Sequence, residues 1–484
     1  MLDTLNHWLE RRSVRWMLLA MIAAIYAASY RSHPLFPGFG DAAFKRGWWT
    51  WTDQQRYLDE ANAIAAGQLS RTTFHYPVGY PALGAVFVRW MPVHPFFIPN
   101  LLLVLVAAGV WWQLARRWLS AIEALIAGSV FLIFHRLLLG VTLVVPWNTI
   151  ATQATALTGI WVLLAMNGRR AVFGLGALTA LTVFFRPIDA VAYLPLLAWA
   201  IFRLDGWPQR VRVGLVAAAV VGVAIATTIA VNLAVFGQTR TPYDDVSLRS
   251  IGFFGYPISL KLYWLLLDGQ PLFGETEPGL LFRYPWMFLG APAIVFLVRK
   301  ERMAGVAVAL TVFISAGLYL NYNDLLPSDI YRFTLIHYLV WWFPLLFVLI
   351  AAAARYFRQD RVVRAGFGVA AFCVIVGLGL RLESRRLPQV VHTGDVVALP
   401  PHRPLLLEFE SVSMDAVSSL RIEGRPLVEY SEYLVPYVPS DLRLLLSRNV
   451  RGSSLSGPAV SAVQMSEYTW RWRLQPLRLR DFGR

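Results

Sequence analysis

Residues 52–81 read TDQQRYLDEANAIAAGQLSRTTFHYPVGYP. They follow the first apolar run of a chain that otherwise reads as membrane. Thr52 and Gln55 have the T-x-x-Q form of a capping box, and Gly67 supplies a stop, so the spacing predicts a helix over residues 53–66. Tyr57, Ala61, Ile64 and Ala65 recur at helical spacing as an apolar stripe, while Gln55, Asp59, Glu60 and Asn62 take the opposite face. A helix of this kind suits the outer membrane interface. Asp53 is then its first residue, where free amides and the helix dipole favour the carboxylate form. An ionised carboxylate at a membrane surface can serve as a base. The blander reading is that Asp53 only caps the helix.

Working outward, the setting is apolar. Of 484 residues, 57% are hydrophobic and 15% charged, too apolar for an ordinary soluble enzyme. Runs of about 20 apolar residues are long enough to cross ~30 Å of hydrocarbon as helices. Backbone groups in lipid must pair within the chain, which favours a helical bundle. Eleven spans are expected, at 15–30, 96–115, 119–135, 150–166, 171–185, 188–202, 213–235, 284–298, 303–320, 334–354 and 365–380. Basic clusters fall in alternate gaps: Arg11/Arg12/Arg15, Arg116/Arg117, Arg169/Arg170, Arg203/Arg210/Arg212, Arg299/Lys300/Arg302 and Arg355/Arg358/Arg361/Arg364. Positive charge stays cytoplasmic, which puts the N-terminus inside and, with an odd span count, the C-terminus outside. Topology therefore accounts for the net charge of +15 better than nucleic acid does. The 19 Trp and 19 Tyr fit anchors at helix ends. The single cysteine, Cys373, lies in an apolar run and reads as a small core residue. No small-residue cleavage site follows the first span, so it reads as retained rather than as a removed signal.

Three large segments are expected outside: 31–95, 236–283 and the tail from about 382. Segment 80–92 reads as an interfacial helix, because Arg89, Pro92, His94 and Pro95 interrupt it. In the tail, Leu405-Leu406-Leu407-Glu408-Phe409-Glu410 favours short strands. The expected architecture is an all-α polytopic membrane bundle over residues 1–381 and a small β-rich extracytoplasmic domain over 382–484.

Arg136, Arg186 and Arg332 stand alone in outer gaps or at span ends. Arginine there is costly without a partner, and a guanidinium fork matches phosphate. Arg332 is the leading candidate, with Asp324 and Asp329 nearby in residues 322–333. The bland alternative is an ion pair or headgroup contact. His75 and His337 read as structural or interfacial rather than as ligands. No P-loop, dinucleotide fingerprint or metal pattern is present in the sequence, so neither a cofactor nor a metal is expected.

Asp53-Gln54-Gln55-Arg56-Tyr57, then Ala61, Gly67 and Tyr76-Pro77-Val78-Gly79-Tyr80-Pro81, resemble the first outer loop of GT-C glycosyltransferases. The pattern is that of the aminoarabinose-transferase and protein-mannosyltransferase-like members. In those, an Asp-Glu-x-Arg-Tyr-like element opens a juxtamembrane helix and a Lys-Pro-Pro-like turn follows. Phe185-Arg186-Pro187, Phe236-Gly237 and Tyr331-Arg332-Phe333 are similar to further pieces, and the likeness covers about residues 15–355. Gln54 departs from the second acid and Val78 from a proline. The resemblance implies a GT-C bundle with outer-face juxtamembrane helices and a polyprenyl-phosphate-linked sugar as donor. It also implies transfer outside the membrane to a glycan, glycolipid or protein acceptor. It carries the catalytic Asp to Asp53 and the phosphate-binding Arg to Arg332, with Arg186 and Arg136 in support. Asp41, Gln54, Arg56, Tyr57, His75, Tyr76 and Tyr331 are then candidates for substrate binding. The expected location is a bacterial inner or plasma membrane.

An inverting glycosyltransferase is the leading expectation. A transporter or flippase of lipid-linked sugars is the alternative, but it should show repeats and broken polar spans. A scaffold presenting the tail leaves the charged first loop unexplained.

Overall fold

The structure is a computed structural model. It describes residues 2–40, 46–245, 262, 266, 284–322, 338–386, 396–399, 405–410, 419–422, 424–427, 431–434, 441–446, 454–457 and 463–474. In chain order the helices are α1 (Leu2–Leu9), α2 (Arg12–Arg31), α3 (Thr52–Ala65), α4 (Gly79–Ala85), α5 (Phe97–Trp118), α6 (Ala121–Phe134) and α7 (Arg136–Leu139). They continue as α8 (Thr149–Ala165), α9 (Gly168–Phe185), α10 (Leu194–Phe202), α11 (Trp207–Phe236), α12 (Pro242–Asp245), α13 (Gly290–Glu301), α14 (Met303–Asn321), α15 (Phe343–Tyr356) and α16 (Arg361–Gly379). Helical segments lie within each of the eleven predicted stretches. Five described helices, α2, α5, α9, α11 and α14, are long and apolar enough to cross a bilayer, which marks the chain as an integral membrane protein.

The chain divides into two compact units. The first comprises Met1–Asp244, Gly290–Ala316 and Leu339–Gly366, and the second comprises Asp245–Leu289, Gly317–Tyr338 and Phe367–Arg484. In the first, α8 is the inner helix. Ile150, Ala151, Ala154, Leu157, Ile160 and Leu163 are buried, and so are Thr149, Thr152, Gln153 and Thr155. Threonine is tolerated there because its hydroxyl turns back onto its own helix, as Thr155 Oγ1 does onto the Ala151 carbonyl at 2.9 Å. By contrast α11 is apolar around most of its girth, and Leu215 and Val223 stay 65% and 66% exposed, the arrangement of a lipid-facing helix.

Segment 80–92 contains only the seven-residue α4, about 10 Å of helix and far too short to span. The helix predicted at 53–66 is α3, with two corrections. It starts at Thr52 with Trp51, not Thr52, as N-cap, so Asp53 is the second helical residue. Its buried side is also broader than the predicted apolar stripe. Gln54 and Glu60 are buried with Tyr57, Leu58 and Ala61, whereas Ala65 is exposed. The physical reason is that α3 is covered on more than one side, by a turn at Gly47–Thr50 and by the chain that follows it, so polar residues are enclosed too. The predicted stop is present. Gly67 sits at φ +67°, its N–H reaches the Ile64 carbonyl at 3.1 Å, and the Gln68 N–H reaches Ala63 at 2.8 Å. That pair of bonds closes the helix on a left-handed residue that glycine alone adopts cheaply.

The second unit carries the described strands: β1 (Leu380–Arg386), β2 (Val396–Ala398), β3 (Leu405–Glu410), β4 (Arg421–Ile422), β5 (Arg425–Pro426), β6 (Ser431–Leu434), β7 (Asp441–Leu446), β8 (Ser454–Ser456) and β9 (Val463–Leu474). They form one sheet in the order β1-β9-β3-β7-β6 and another in the order β2-β8-β4-β5, paired antiparallel throughout. The predicted strand at 405–410 is β3, and Leu407, set against Leu444 and Met465, is buried. The unit also takes in residues 245–289 and 317–338, which the predicted boundary at 382 assigned elsewhere.

Candidate functional site

The site grows from the face of α3 that carries Asp53, Arg56, Tyr57 and Glu60. These positions are i, i+3, i+4 and i+7 and therefore lie on one side of the helix. The chain then turns at Gly67 and returns along that face through Phe74, His75 and Tyr76. The Tyr76 phenol donates a hydrogen bond to Asp53 Oδ1. Glu60 Oε1 accepts two backbone N–H groups, from His75 and from Tyr76, the latter at 2.6 Å. Helix and return loop are thus joined twice, once at each end of the acidic face.

Aromatic packing sets the walls. The Tyr57 ring lies 4.7 Å from that of Tyr76 and meets the edge of Tyr80 at 5.0 Å. Tyr243 of α12 also packs against Tyr76, at 4.7 Å, and lies near His75 at 6.0 Å. Phe74 stacks on Phe236 at the end of α11, 5.3 Å away. Phe236 and Tyr243 therefore meet the return loop beside Asp53.

Arg186 enters from α9. Proline at 187 cannot continue a helix and forces the preceding residue out of the helical region. Arg186 accordingly adopts φ −154° and ψ 91°, leaving the helix axis, and its Nε lies 3.4 Å from Asp189 Oδ2. Both side chains are buried. The end of α9 is held against the return loop by Gly79. A Cβ there meets the Phe184 carbonyl oxygen at 2.6 Å, so only glycine permits the approach.

Burial raises the Asp53 carboxyl above its ordinary value, and the Tyr76 hydrogen bond and the charges of Arg56 and Arg186 pull it partly back. Burial, then the Asp53 charge, pushes the Tyr76 phenol far up, so it remains a donor. Glu60 is pushed to about 8 by burial, against the pull of its two backbone amides. Burial lowers His75 to about 4, and Arg56 adds to the effect, leaving a neutral imidazole at neutral pH. The result is a partly exposed carboxylate with raised proton affinity in a field of two guanidinium groups.

The structure brings together Asp53, Arg56, Tyr57, His75, Tyr76 and Arg186 of the predicted residues. Gln54 points inward instead, and its Nε2 donates to the Pro146 carbonyl at 3.2 Å. An ionised carboxylate has no proton to donate there, so an amide side chain suits this position. Arg136 is exposed at the start of α7, and no described interaction brings it to Asp53. Asp41, Tyr331 and Arg332, together with Asp324, Asp329 and His337, lie outside the described residues. Sequence reasoning missed Glu60, Asp189 and Tyr243. For Glu60 a signal existed, the i+7 spacing from Asp53. For Tyr243 none did, because only the tertiary contact between two loops reveals it. No family model, no curated protein and no solved structure matches this chain.

Proposed function

We propose that the chain is a membrane glycosyltransferase of the GT-C type, taking a sugar from a polyprenyl-phosphate donor to an acceptor hydroxyl on the outer face. The observation that carries this reading is the half-buried Asp53 carboxylate, fixed by Tyr76 and set within the field of Arg56 and Arg186. Asp53 takes the proton of the acceptor hydroxyl as its oxygen attacks the anomeric carbon. The bond from that carbon to the phosphate oxygen breaks, and its electron pair leaves with the polyprenyl phosphate. Arg186 balances the charge that grows on the phosphate. Attack opposite to the leaving group inverts the anomeric centre.

In this reading all eleven apolar stretches cross the membrane, the N-terminus is cytoplasmic and residues 382–484 lie outside. The decisive experiment incubates the purified protein, in vesicles, with a polyprenyl-phosphate sugar and a hydroxyl acceptor, and reads the anomeric configuration of the product. Inverted product that disappears in Asp53→Asn supports the proposal. Translocation of intact donor without transfer overturns it in favour of a flippase. A reporter fused after Arg484 tests the orientation, and activity of that reporter in the cytoplasm breaks the eleven-span topology.

A further inference from the structure

Glu60 has no part in the chemistry just described, yet it is fully enclosed in the same wall. Its Oε1 accepts the backbone N–H groups of two consecutive residues, His75 and Tyr76. The second of these carries the phenol that donates to Asp53. Glu60 stands seven residues after Asp53, two turns along α3, so both acids grip the same return loop from one rigid face. Nothing else described on the face of α3 accepts a backbone amide from residues 74–76. Oε2 has no hydrogen-bond partner among the described residues.

We infer that Glu60 is a positioning residue: its carboxyl fixes the backbone at His75–Tyr76 and thereby holds the Tyr76 phenol on the Asp53 carboxylate. The kinetic half of this inference rests on the reading of Asp53 as the base. The geometric half does not. Side-chain length matters more than charge in this role. Glutamine has an oxygen at the same reach and accepts the same two amides. Aspartate keeps the carboxyl group but is one methylene shorter and cannot reach them without moving the loop.

The test compares Glu60→Gln, Glu60→Asp and Glu60→Ala in the full-length protein in vesicles with a polyprenyl-phosphate sugar. Glu60→Gln keeps most of the turnover. Glu60→Asp and Glu60→Ala lose about 10²-fold in kcat with much less change in the KM for donor, the signature of a misplaced catalytic group. Combined with Tyr76→Phe, the Glu60→Asp loss does not add, because both changes break the same link. Additive losses, or a Glu60→Gln protein as poor as Glu60→Asp, overturn the inference. A second readout is independent of activity. In a chain carrying 3-fluorotyrosine at position 76, Asp53→Asn shifts the fluorine resonance in the wild-type and Glu60→Gln backgrounds but not in Glu60→Asp. The same shift in all three shows that the phenol stays on Asp53 without Glu60, and the inference fails. If the wild-type chain transfers no sugar from any such donor, the glycosyltransferase reading falls, and the fluorine measurement alone decides the role of Glu60.

Discussion

The two ends of α5 hold charge in opposite ways. Near its start, Glu60, Arg186 and Asp189 are buried and Asp53 is half-buried, and their partners are a phenol, backbone amides and one ion pair. Near its end, 22 residues and about 30 Å away, the charges are largely exposed and matched one to one. Arg116 pairs with Glu10, Arg117 with Glu301 and Arg355 with Glu123. Matched surface pairs fasten helix ends and add little energy each. Buried carboxylates with raised proton affinity are costly to keep and are held only by the structure around them, which is the expected condition of a reacting site. The separation is close to the thickness of a bilayer's hydrocarbon, so on the proposed function one helix has a fastened end and a reactive end.

The hardest blow to this contrast falls on Asp53. Asp53→Asn keeps the size and the acceptor oxygen for Tyr76 but removes the proton affinity, and it is expected to cut turnover by roughly 10²–10⁴-fold with the fold intact. In the unaltered protein the carboxyl is raised above its ordinary value and the base must be ionised. The value of kcat/KM therefore falls as pH drops through that raised value and levels off above it. Near-normal turnover in a folded Asp53→Asn protein moves the base elsewhere, and the buried end loses its chemical meaning.

Arg186 sharpens the comparison next. Its removal takes away one preorganised positive charge near Asp53, and Arg186→Ala is expected to lose about 10²–10³-fold in kcat. Arg186→Lys keeps the charge without the fork and falls between. Steady-state kinetics with varied donor read both. A donor response that is the same in all three proteins assigns Arg186 to a purely structural pair with Asp189.

How much of this was legible beforehand differs between the two ends. The arginine clusters follow from composition and alternate gaps, because charge at a membrane surface obeys a one-dimensional rule. Helices fall within the predicted stretches for the same reason: periodicity and run length are properties of the chain alone. The helix at α3 and its stop at Gly67 were legible, but which of its polar residues are buried was not. Glu60 and Gln54 look like solvent-facing residues until the return loop is laid over them. Asp53, Arg186 and Tyr76 stood out as candidates, yet their meeting depends on Pro187 turning Arg186 off its helix and on Gly79 letting the loop touch Phe184. Those are tertiary facts, and no local pattern states them.

Gly79→Ala tests that last contact and should have a smaller effect. The added methyl meets a backbone oxygen rather than a flexible side chain, so the loop or the end of α9 must shift. Overpacking of this kind costs about 1–3 kcal/mol. Thermal unfolding in detergent reads the loss, and turnover should fall with it because Tyr76 and Arg186 flank the contact. Full activity with lowered stability separates the packing of the loop from the placement of the site.

The smallest effect belongs to the fastened end, and it is the strictest check on the contrast. Arg117 Nε and Nη2 meet the two oxygens of Glu301 at 2.7 Å each, and the Trp118 indole N–H adds a third bond at 2.9 Å. The geometry is bidentate, but the Arg117 side chain is 39% exposed and water screens the pair. Arg117→Ala should therefore cost under about 1 kcal/mol, less in high salt, and leave transfer unchanged. Glu301→Ala should cost somewhat more, because it strands the indole N–H as well as the guanidinium. Unfolding midpoints at low and high salt, measured beside turnover for both variants, decide the matter. A salt-insensitive loss of several kcal/mol in Arg117→Ala shows that this pair is as enclosed and demanding as the groups around Asp53. A loss of transfer without a loss of stability shows that the two ends of α5 are coupled. Either result removes the division between a fastened end and a reactive one.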